Sequence, residues 1–271
     1  MKRVWVPLAS AIVLFAAAAT GGPLQVSGKE YADLGNGGTI KLWDGLGNTV
    51  SVNPGFDRGD VDALAAQYDL FFPELLTNWA ALLVTFDGDP NIYIEDNFGV
   101  NYTWAVPAQV DSAGYTMIEA LEVWGPEGVS DATIYSLRGD PGGCAVLVLG
   151  GGCLYTNAAV GAAIGLSSGA QFDLDALMAY GDQIVFSIRP VSDPTGVSFD
   201  GGEIWHWDGK AASASFLNHG GHLWDTAFDV MGTFGVNSEN VASIEAVPEP
   251  ASMALVVGSL GLLAAAIRRR R

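Results

Sequence analysis

Short runs of alternating apolar and polar residues, separated by Gly, Asp and Pro, fill most of residues 24–246. Runs rich in β-branched and aromatic side chains and bounded by such turn residues are typical of β-strands. Clear examples are Leu83–Phe86, Ile134–Leu137 and Val185–Ile188. The pattern therefore predicts an all-β body.

These runs belong to a longer repeat, which opens on an acidic–alanine–aliphatic phrase. The phrase occurs at Val61–Leu64, Ile118–Leu121, Leu174–Leu177 and Ile244–Val247. Each of the first three phrases is followed by a strand-like run, an Asp-Pro turn and a third run with an aliphatic–aromatic pair, which is Ile92-Tyr93, Leu154-Tyr155 or Ile204-Trp205. Repetition at such a spacing indicates duplication of one β unit, with copies at 61–117, 118–173 and 174–243.

The two ends of the body carry partial units. Thr39–Trp43 and Thr49–Val52 are strand candidates that precede the first full unit, and the phrase at Ile244–Val247 follows the last one. Pairing between these ends completes a fourth unit. The sequence therefore predicts a four-bladed β-propeller closed by N- and C-terminal strands, with a β-sandwich or a trefoil-like arrangement as the alternative.

Two cysteines occur in the chain, Cys144 and Cys153. In an oxidising compartment, a pair in neighbouring hairpin strands is expected to form a structural disulfide. The spacing is too long for a redox Cys-x-x-Cys motif.

Both ends of the chain read as targeting segments. Met1–Arg3 is basic, Val4–Ala19 is apolar, and small residues before position 20 suit a signal peptidase, so residues 1–19 are predicted to be a signal peptide handled by the Sec translocon. At the other end, the uncharged run 251–267 is long enough for one transmembrane helix, and the basic residues after it favour a cytoplasmic C-terminus. The acidic β-repeat domain, 24–246, lies between these segments.

The tail, residues 247–271, resembles the PEP-CTERM sorting domain. The resemblance is carried by the motif Val247, Pro248, Glu249, Pro250, by the apolar span and by the terminal cluster Arg268, Arg269, Arg270, Arg271. It implies processing by an exosortase at or near the motif, and an association with exopolysaccharide and biofilm. The expected location is an inner-membrane precursor, then the cell envelope, surface or extracellular matrix. An uncut tail, which leaves an anchored outward-facing domain, is the alternative.

The repeat unit is also loosely similar to a hemopexin-type blade. Leu174-Asp175-Ala176 followed by Gly202–Trp207 carries the similarity, whereas the ring-closing cysteine pair of that family is absent because both cysteines fall in one unit. This resemblance implies a propeller architecture and nothing about activity.

The chain has 30 acidic and 12 basic residues, a net charge of −18. Six of the basic residues lie in the two terminal segments, so the body is more acidic still. Such a surface repels nucleic acid and favours divalent cations or neutral partners. A nucleic-acid-binding role is therefore excluded.

Calcium is the metal that the acidic residues suit best, and no other cofactor is indicated. Asp87, Asp89 and Asn91 place oxygen atoms at alternating positions of one loop. Asp62, Glu119, Asp175 and Glu245 share the equivalent position of the repeated phrase. If their strands line a channel, a bound cation would relieve the repulsion between them, whereas outward solvation of these carboxylates is the alternative.

Two further groups of residues suggest a ligand. Trp205, Trp207 and Trp224 lie among Asp and Asn residues, a mixture that stacks on and hydrogen-bonds sugars, although core packing is the alternative. His219 and His222 suggest a metal site for an envelope hydrolase. The sequence favours a non-catalytic surface or matrix protein with a structural or adhesive role that includes exopolysaccharide binding, over that metal-assisted hydrolase.

Overall fold

The computed structural model of the protein describes residues 28–33, 40–43, 49–52, 61–66, 82–95, 101–107, 117–139, 143–219 and 222–248. Twenty strands and two short helices occur within these ranges, and every strand pairing is antiparallel. The prediction of an all-β protein is confirmed.

Sixteen of these strands form four sheets of four strands each. Sheet I contains β1 (Gly28–Asp33), β2 (Ile40–Trp43), β3 (Thr49–Val52) and β20 (Glu245–Pro248), in the order β20-β1-β2-β3. Sheet II contains β4 (Val61–Ala66), β5 (Leu82–Phe86), β6 (Ile92–Glu95) and β7 (Asn101–Ala105), in chain order.

Sheets III and IV follow the same plan. Sheet III contains β8 (Ile118–Glu122), β9 (Ile134–Leu137), β10 (Cys144–Val148) and β11 (Cys153–Thr156), in chain order. Sheet IV contains β12 (Leu174–Tyr180), β13 (Gln183–Ile188), β16 (Trp205–Trp207) and β17 (Ser215–Phe216), in that order.

The remaining described elements are two short hairpins and two helices. Two hairpins are built from β14 (Val191–Ser192) with β15 (Ser198–Phe199), and from β18 (Asn218–His219) with β19 (His222–Leu223). Helix α1 (Asn157–Ala163) follows sheet III, and α2 (Val230–Phe234) precedes β20. Among the described residues, neither helix is long and apolar enough to cross a bilayer.

The repeated phrase occupies the first strand of each sheet. Sheets II, III and IV begin with β4, β8 and β12, which carry its first three copies, and the fourth copy supplies β20. One expectation about the repeat is wrong. Leu154-Tyr155 lies in the fourth strand of sheet III, because β10 intervenes as the third strand, whereas Ile92-Tyr93 does lie in the third strand of sheet II.

Sheet I joins the two ends of the described chain. β20 pairs with β1 in a register that places Gly28 opposite Pro248 and Tyr31 opposite Glu245. The strand pairing that the partial repeats predicted is therefore present. The signal peptide 1–19, the rest of the sorting motif (Glu249 and Pro250), the apolar span 251–267 and Arg268–Arg271 lie outside the described residues.

Three apolar clusters fill the spaces between consecutive sheets. One joins sheets II and III through residues such as Leu83 and Leu121, and a second joins sheets III and IV through residues such as Val146 and Phe186. The third packs sheet IV against the segment that leads into β20, and Trp224 lies in it. Sheets II, III and IV thus bury apolar surface against their neighbours, which is the main stabilising contribution to such a fold.

Removal of β20 should destabilise the body far more than removal of the tail. A chain ending after Ser243 leaves β1 without its partner strand, so we expect loss of a single cooperative unfolding transition in urea, followed by tryptophan fluorescence. A chain ending after Pro250 retains β20 and is the matched control. Equal midpoints for the two chains would contradict the closing role of β20.

Candidate functional site

Three first strands aim one carboxylate each toward a common cluster. In each of β4, β8 and β12 the register shifts once, so that two residues on the first strand oppose one residue on the second. The extra residue is Asp62, Glu119 or Asp175, the acidic member of the repeated phrase. Such bulges re-aim side chains, and the same bulge recurs in three sheets.

Two arginines extend from the ends of the second strands in sheets III and IV. Arg138 follows β9 directly, and Arg189 follows β13. Arg189 Nε lies 3.1 Å from Asp175 Oδ1 and is also hydrogen-bonded to Glu119, while its Nη2 is 3.6 Å from Asp62 Oδ1. Arg138 forms an ion pair with Glu119 and lies 3.5 Å from Asp87. We call Asp62, Glu119, Asp175, Arg138 and Arg189 the ionic cluster.

The carboxylates of the ionic cluster are buried, whereas its arginines are partly exposed. Glu119 and Asp175 have no exposed surface, and Asp62 is 6 % exposed. The arginine side chains are about one-third exposed (35 % and 36 %), so the guanidinium groups separate the carboxylates from water. A buried charge without a counter-charge is strongly destabilising. The folded state therefore depends on these contacts.

The cluster contains one more carboxylate than arginine, and burial changes its titration. Burial, with the negative charge of Glu119, raises the pKa of Asp62 to about 7, although the two arginines oppose this shift. Burial also raises the pKa of Asp175, against the effect of Arg189 and of the hydrogen bond from Asn240. Asp62 Oδ2 has no hydrogen-bond partner among the described residues. These shifts favour a proton on Asp62 or Asp175 near neutral pH, which would offset the excess negative charge.

Repeated hydroxyl groups tie the sheets together beside the cluster. Thr85, Ser136 and Ser187 are buried at the same position of the second strands. Thr85 Oγ1 donates to the carbonyl of Ile118 at 3.0 Å, and Ser187 Oγ donates to the carbonyl of Val241 at 2.6 Å. The first bond ties β5 of sheet II to β8 of sheet III, and the second ties β13 of sheet IV to the segment that leads into β20, both beside the cluster.

This arrangement corrects one expectation about the acidic phrase. Outward solvation is wrong, because Asp62, Glu119 and Asp175 are buried and Glu245 is only 7 % exposed. The positive charge beside Asp62, Glu119 and Asp175 comes from Arg138 and Arg189. No group of three or more His, Cys, Asp or Glu residues in the described part of the chain is arranged to hold a metal ion.

The loop proposed for calcium uses its oxygen atoms internally. Asp89 Oδ1 accepts hydrogen bonds from the backbone and side-chain amides of Asn91, at 2.9 and 2.7 Å. Asp89 Oδ2 accepts from the Tyr93 hydroxyl at 2.7 Å, and Asp87 faces Arg138. The loop thus caps its own turn, and the calcium prediction finds no support in these contacts.

The two histidines whose side chains are described have separate environments. His206 is buried in β16, where its Nδ1 lies 2.9 Å from Gln183 Oε1 and burial lowers its pKa. His222 is exposed and packs edge-on against Phe228, with ring centroids 5.8 Å apart. His219 pairs with His222 through the β18–β19 backbone, and its side chain lies outside the described residues.

The tryptophans proposed for sugar stacking belong to the core. Trp205, Trp207 and Trp224 are 2 %, 5 % and 2 % exposed, which corrects the expectation of an exposed aromatic surface. Trp205 stacks on Phe186 at 5.8 Å between ring centroids, and Trp224 stacks on Phe228 at 4.0 Å. Aromatic strand residues in a β fold usually pack in this way, because their large apolar area favours burial.

The two cysteines form a disulfide. Cys144 and Cys153 have their Cα atoms 5.7 Å apart and connect β10 to β11 within sheet III. Because the bond closes a short loop in one sheet, it braces that sheet and does not join the two ends of the chain.

The Gly-x-Ser-x-Gly sequence Gly165–Gly169 lacks the geometry of a nucleophile elbow. Such an elbow follows a strand and precedes a helix, whereas this segment follows α1 and leads toward β12. The backbone amide of Ser167 donates to Asp193 Oδ2 at 2.8 Å. The segment is therefore a turn that is held by its hydrogen bond to Asp193.

Sequence reasoning missed Arg138 and Arg189, although a signal for them was present. Each arginine ends a Ser–aliphatic–Arg sequence at the close of a second strand, and unit one has Asp87 at the corresponding position. Alignment of the three units at that position would have shown two cations facing the repeated carboxylates.

Loss of one arginine should destabilise the whole fold. Arg189→Leu leaves Glu119 and Asp175 with less counter-charge, and we expect a loss of about 3 kcal/mol in the free energy of unfolding. Lys210→Leu removes an exposed cation and is the control, with an expected change below about 0.5 kcal/mol. Urea titration measures both, and equal effects would contradict the structural role of Arg189.

The stability should fall as the pH rises toward neutrality. The pKa of Asp62 is higher in the folded protein, about 7, than its ordinary value of 3.8, so the folded state binds the proton more tightly. The stabilisation is complete below the ordinary value and is lost as the pH approaches 7. Between pH 5 and 8 we expect a decrease of about 2–3 kcal/mol in the free energy of unfolding.

Substitution of Asp62 tests the origin of that decrease. Asp62→Asn should flatten the dependence of stability on pH, because the side chain no longer titrates. Asp131→Asn, at an exposed position, should leave it unchanged. An unaltered slope in Asp62→Asn would assign the decrease to other groups.

No protein-family model matches this chain, and no curated protein or solved structure matches it either. Any inference about its function therefore has to come from its own residues and their geometry.

Proposed function

We propose that this is an exported, non-catalytic surface or matrix protein with a structural or adhesive role, whose four sheets are the blades of a propeller. The first strands form a circuit of contacts, β4 with β8, β8 with β12, β12 with β20, and β20 with β4. Sheets II to IV run outward from their first strands in one order, and β20 gives sheet I the equivalent first strand. These contacts support a ring of four blades.

The observation that carries the proposal is the overlap of the sorting motif with a strand of the body. Val247 and Pro248, the first two residues of the motif, belong to β20. A cut upstream of Pro248 would therefore shorten a paired strand. We propose that an exosortase removes the tail after Pro248, because a cut there leaves all of β20 paired with β1.

A structural role is supported by the use of the charged residues. The carboxylates of the ionic cluster are paired within the fold with Arg138 and Arg189, and Asp89 caps a turn. His206 is bonded to Gln183, and His222 packs on Phe228. These contacts favour a structural role over the metal-assisted hydrolase.

The intact mass of the protein from its own host, measured in each cell fraction, tests the sorting proposal. We expect a species that begins near residue 20 and ends between Pro248 and Pro250, recovered from the envelope or the medium. A species that retains Arg268–Arg271 in the inner membrane would overturn cleavage. One that ends before Glu245 would overturn the placement of the cut after β20.

Association with exopolysaccharide tests the adhesive role. The processed protein should sediment with polysaccharide purified from the host and should leave the glycan chain length unchanged after prolonged incubation. Shortening of the chain by the purified protein would identify an enzyme. Absence of sedimentation with that polysaccharide would contradict the adhesive role.

A further inference from the structure

A cleft of about 460 Å³ lies beside α1, away from the residues of the ionic cluster. Its lining includes Asn157, Gly161, Leu166, Ser167, Ser168 and Gln171. The volume falls within the range of 300–1,000 Å³ that is typical of small-ligand sites. None of the described lining residues carries a charge, although the chain as a whole has a net charge of −18.

Asn157 lines this cleft, and its carboxamide has no hydrogen-bond partner among the described residues. The residue is 8 % exposed, and its carboxamide atoms are not among the fully enclosed polar atoms that lack a partner, so water reaches them. A ligand that accepts and donates hydrogen bonds would take the place of that water. The remaining exposure of Asn157 is to the cleft that it lines.

The wall opposite the helix is held rigid. Asp193 Oδ2 accepts from the Ser167 amide at 2.8 Å, and its Oδ1 accepts from Thr195 and Val197. The Ala170 amide donates to the Ser167 carbonyl at 3.0 Å, which closes the turn. These bonds hold the backbone of Ser167 in place, and such ordering lowers the entropic cost of ligand binding.

Small residues shape the helix side of the cleft. A Cβ atom on Gly161 would approach Phe172 Cε1 to 3.1 Å, so a larger residue there would push the Phe172 ring aside by a few tenths of an ångström. Ala158 and Ala162 also line the cleft, and both are exposed. The result is an uncharged surface with amide and hydroxyl groups around a small apolar floor that includes Leu166.

We propose that this cleft binds one or two units of a neutral glycan, with Asn157 and Gln171 as hydrogen-bonding groups and Leu166 beneath an apolar sugar face. Carboxamides and hydroxyls match the paired donors and acceptors of sugar hydroxyl groups. An anionic sugar finds no cation among the described lining residues. This inference rests on the proposed adhesive function, and it assigns that function a site and a class of sugar.

Hydrogen–deuterium exchange of the processed protein from its host tests the site, with maltotriose, cellotriose, mannotriose and laminaritriose as neutral probes and trigalacturonate as the anionic probe. At least one neutral trisaccharide should slow exchange in the segment 157–171, and trigalacturonate should not. Calorimetry then gives the dissociation constant of that trisaccharide.

Three variants separate this site from a general effect on folding. Asn157→Ala should weaken binding at least tenfold. Ala162→Trp, at an exposed position, fills the cleft without disturbing the core and should abolish binding even if Asn157→Ala folds poorly. Asn237→Ala, an exposed asparagine outside the cleft, should bind as the wild type does.

The outcomes distinguish failure of the site from failure of the proposed function. Unchanged binding in Ala162→Trp, or protection confined to another segment, would overturn the cleft and leave the adhesive function in place. So would binding of host polysaccharide when no neutral trisaccharide binds. If neither the trisaccharides nor the host polysaccharide bind, both proposals are wrong.

Discussion

The contact between two arginines and three buried carboxylates is the constraint on which the rest of this structure depends. Each first strand brings one acid into the interior at a bulge, and an acid so placed is stable only with a counter-charge or a proton. Arg138 and Arg189 come from sheets III and IV but reach carboxylates of sheets II, III and IV. Sheets that share only apolar surface could slide past one another, whereas these directional contacts fix their relative positions.

The repeat made much of the fold predictable from sequence. Period-two alternation predicted the second strands, and the four acidic phrases predicted where each first strand lies, including the pairing of Glu245–Pro248 with β1. The prediction failed at Leu154-Tyr155, which lies in the fourth strand of sheet III, although the matching pair of unit one lies in the third strand of sheet II. Both sheets have four strands, and alternation looks the same in a third and a fourth strand, so local periodicity cannot reveal which strand carries the pair.

The candidate sites were harder to predict, because burial is a property of assembled sheets. Trp205, Trp207 and Trp224 looked like a sugar platform beside their polar neighbours, yet packing between sheets encloses them. Asn157, in contrast, was not predicted to be part of a site, because it lies in an Ala- and Gly-rich segment without any motif. Its significance depends on the turn at Ser167 and on Asp193, which is distant in sequence, so only the tertiary structure brings the cleft together.

The pairing of β20 with β1 has a consequence for the order of events during synthesis. β1 precedes all the other described strands and its partner β20 follows them, so one edge of β1 stays open while the strands of the intervening sheets are made. Contacts between residues so distant in sequence are slow to form because loop closure precedes any gain in contact energy. The nascent chain therefore has a long interval in which an unpaired edge strand is exposed, and it would need a chaperone or rapid folding of the later sheets to avoid pairing with another chain.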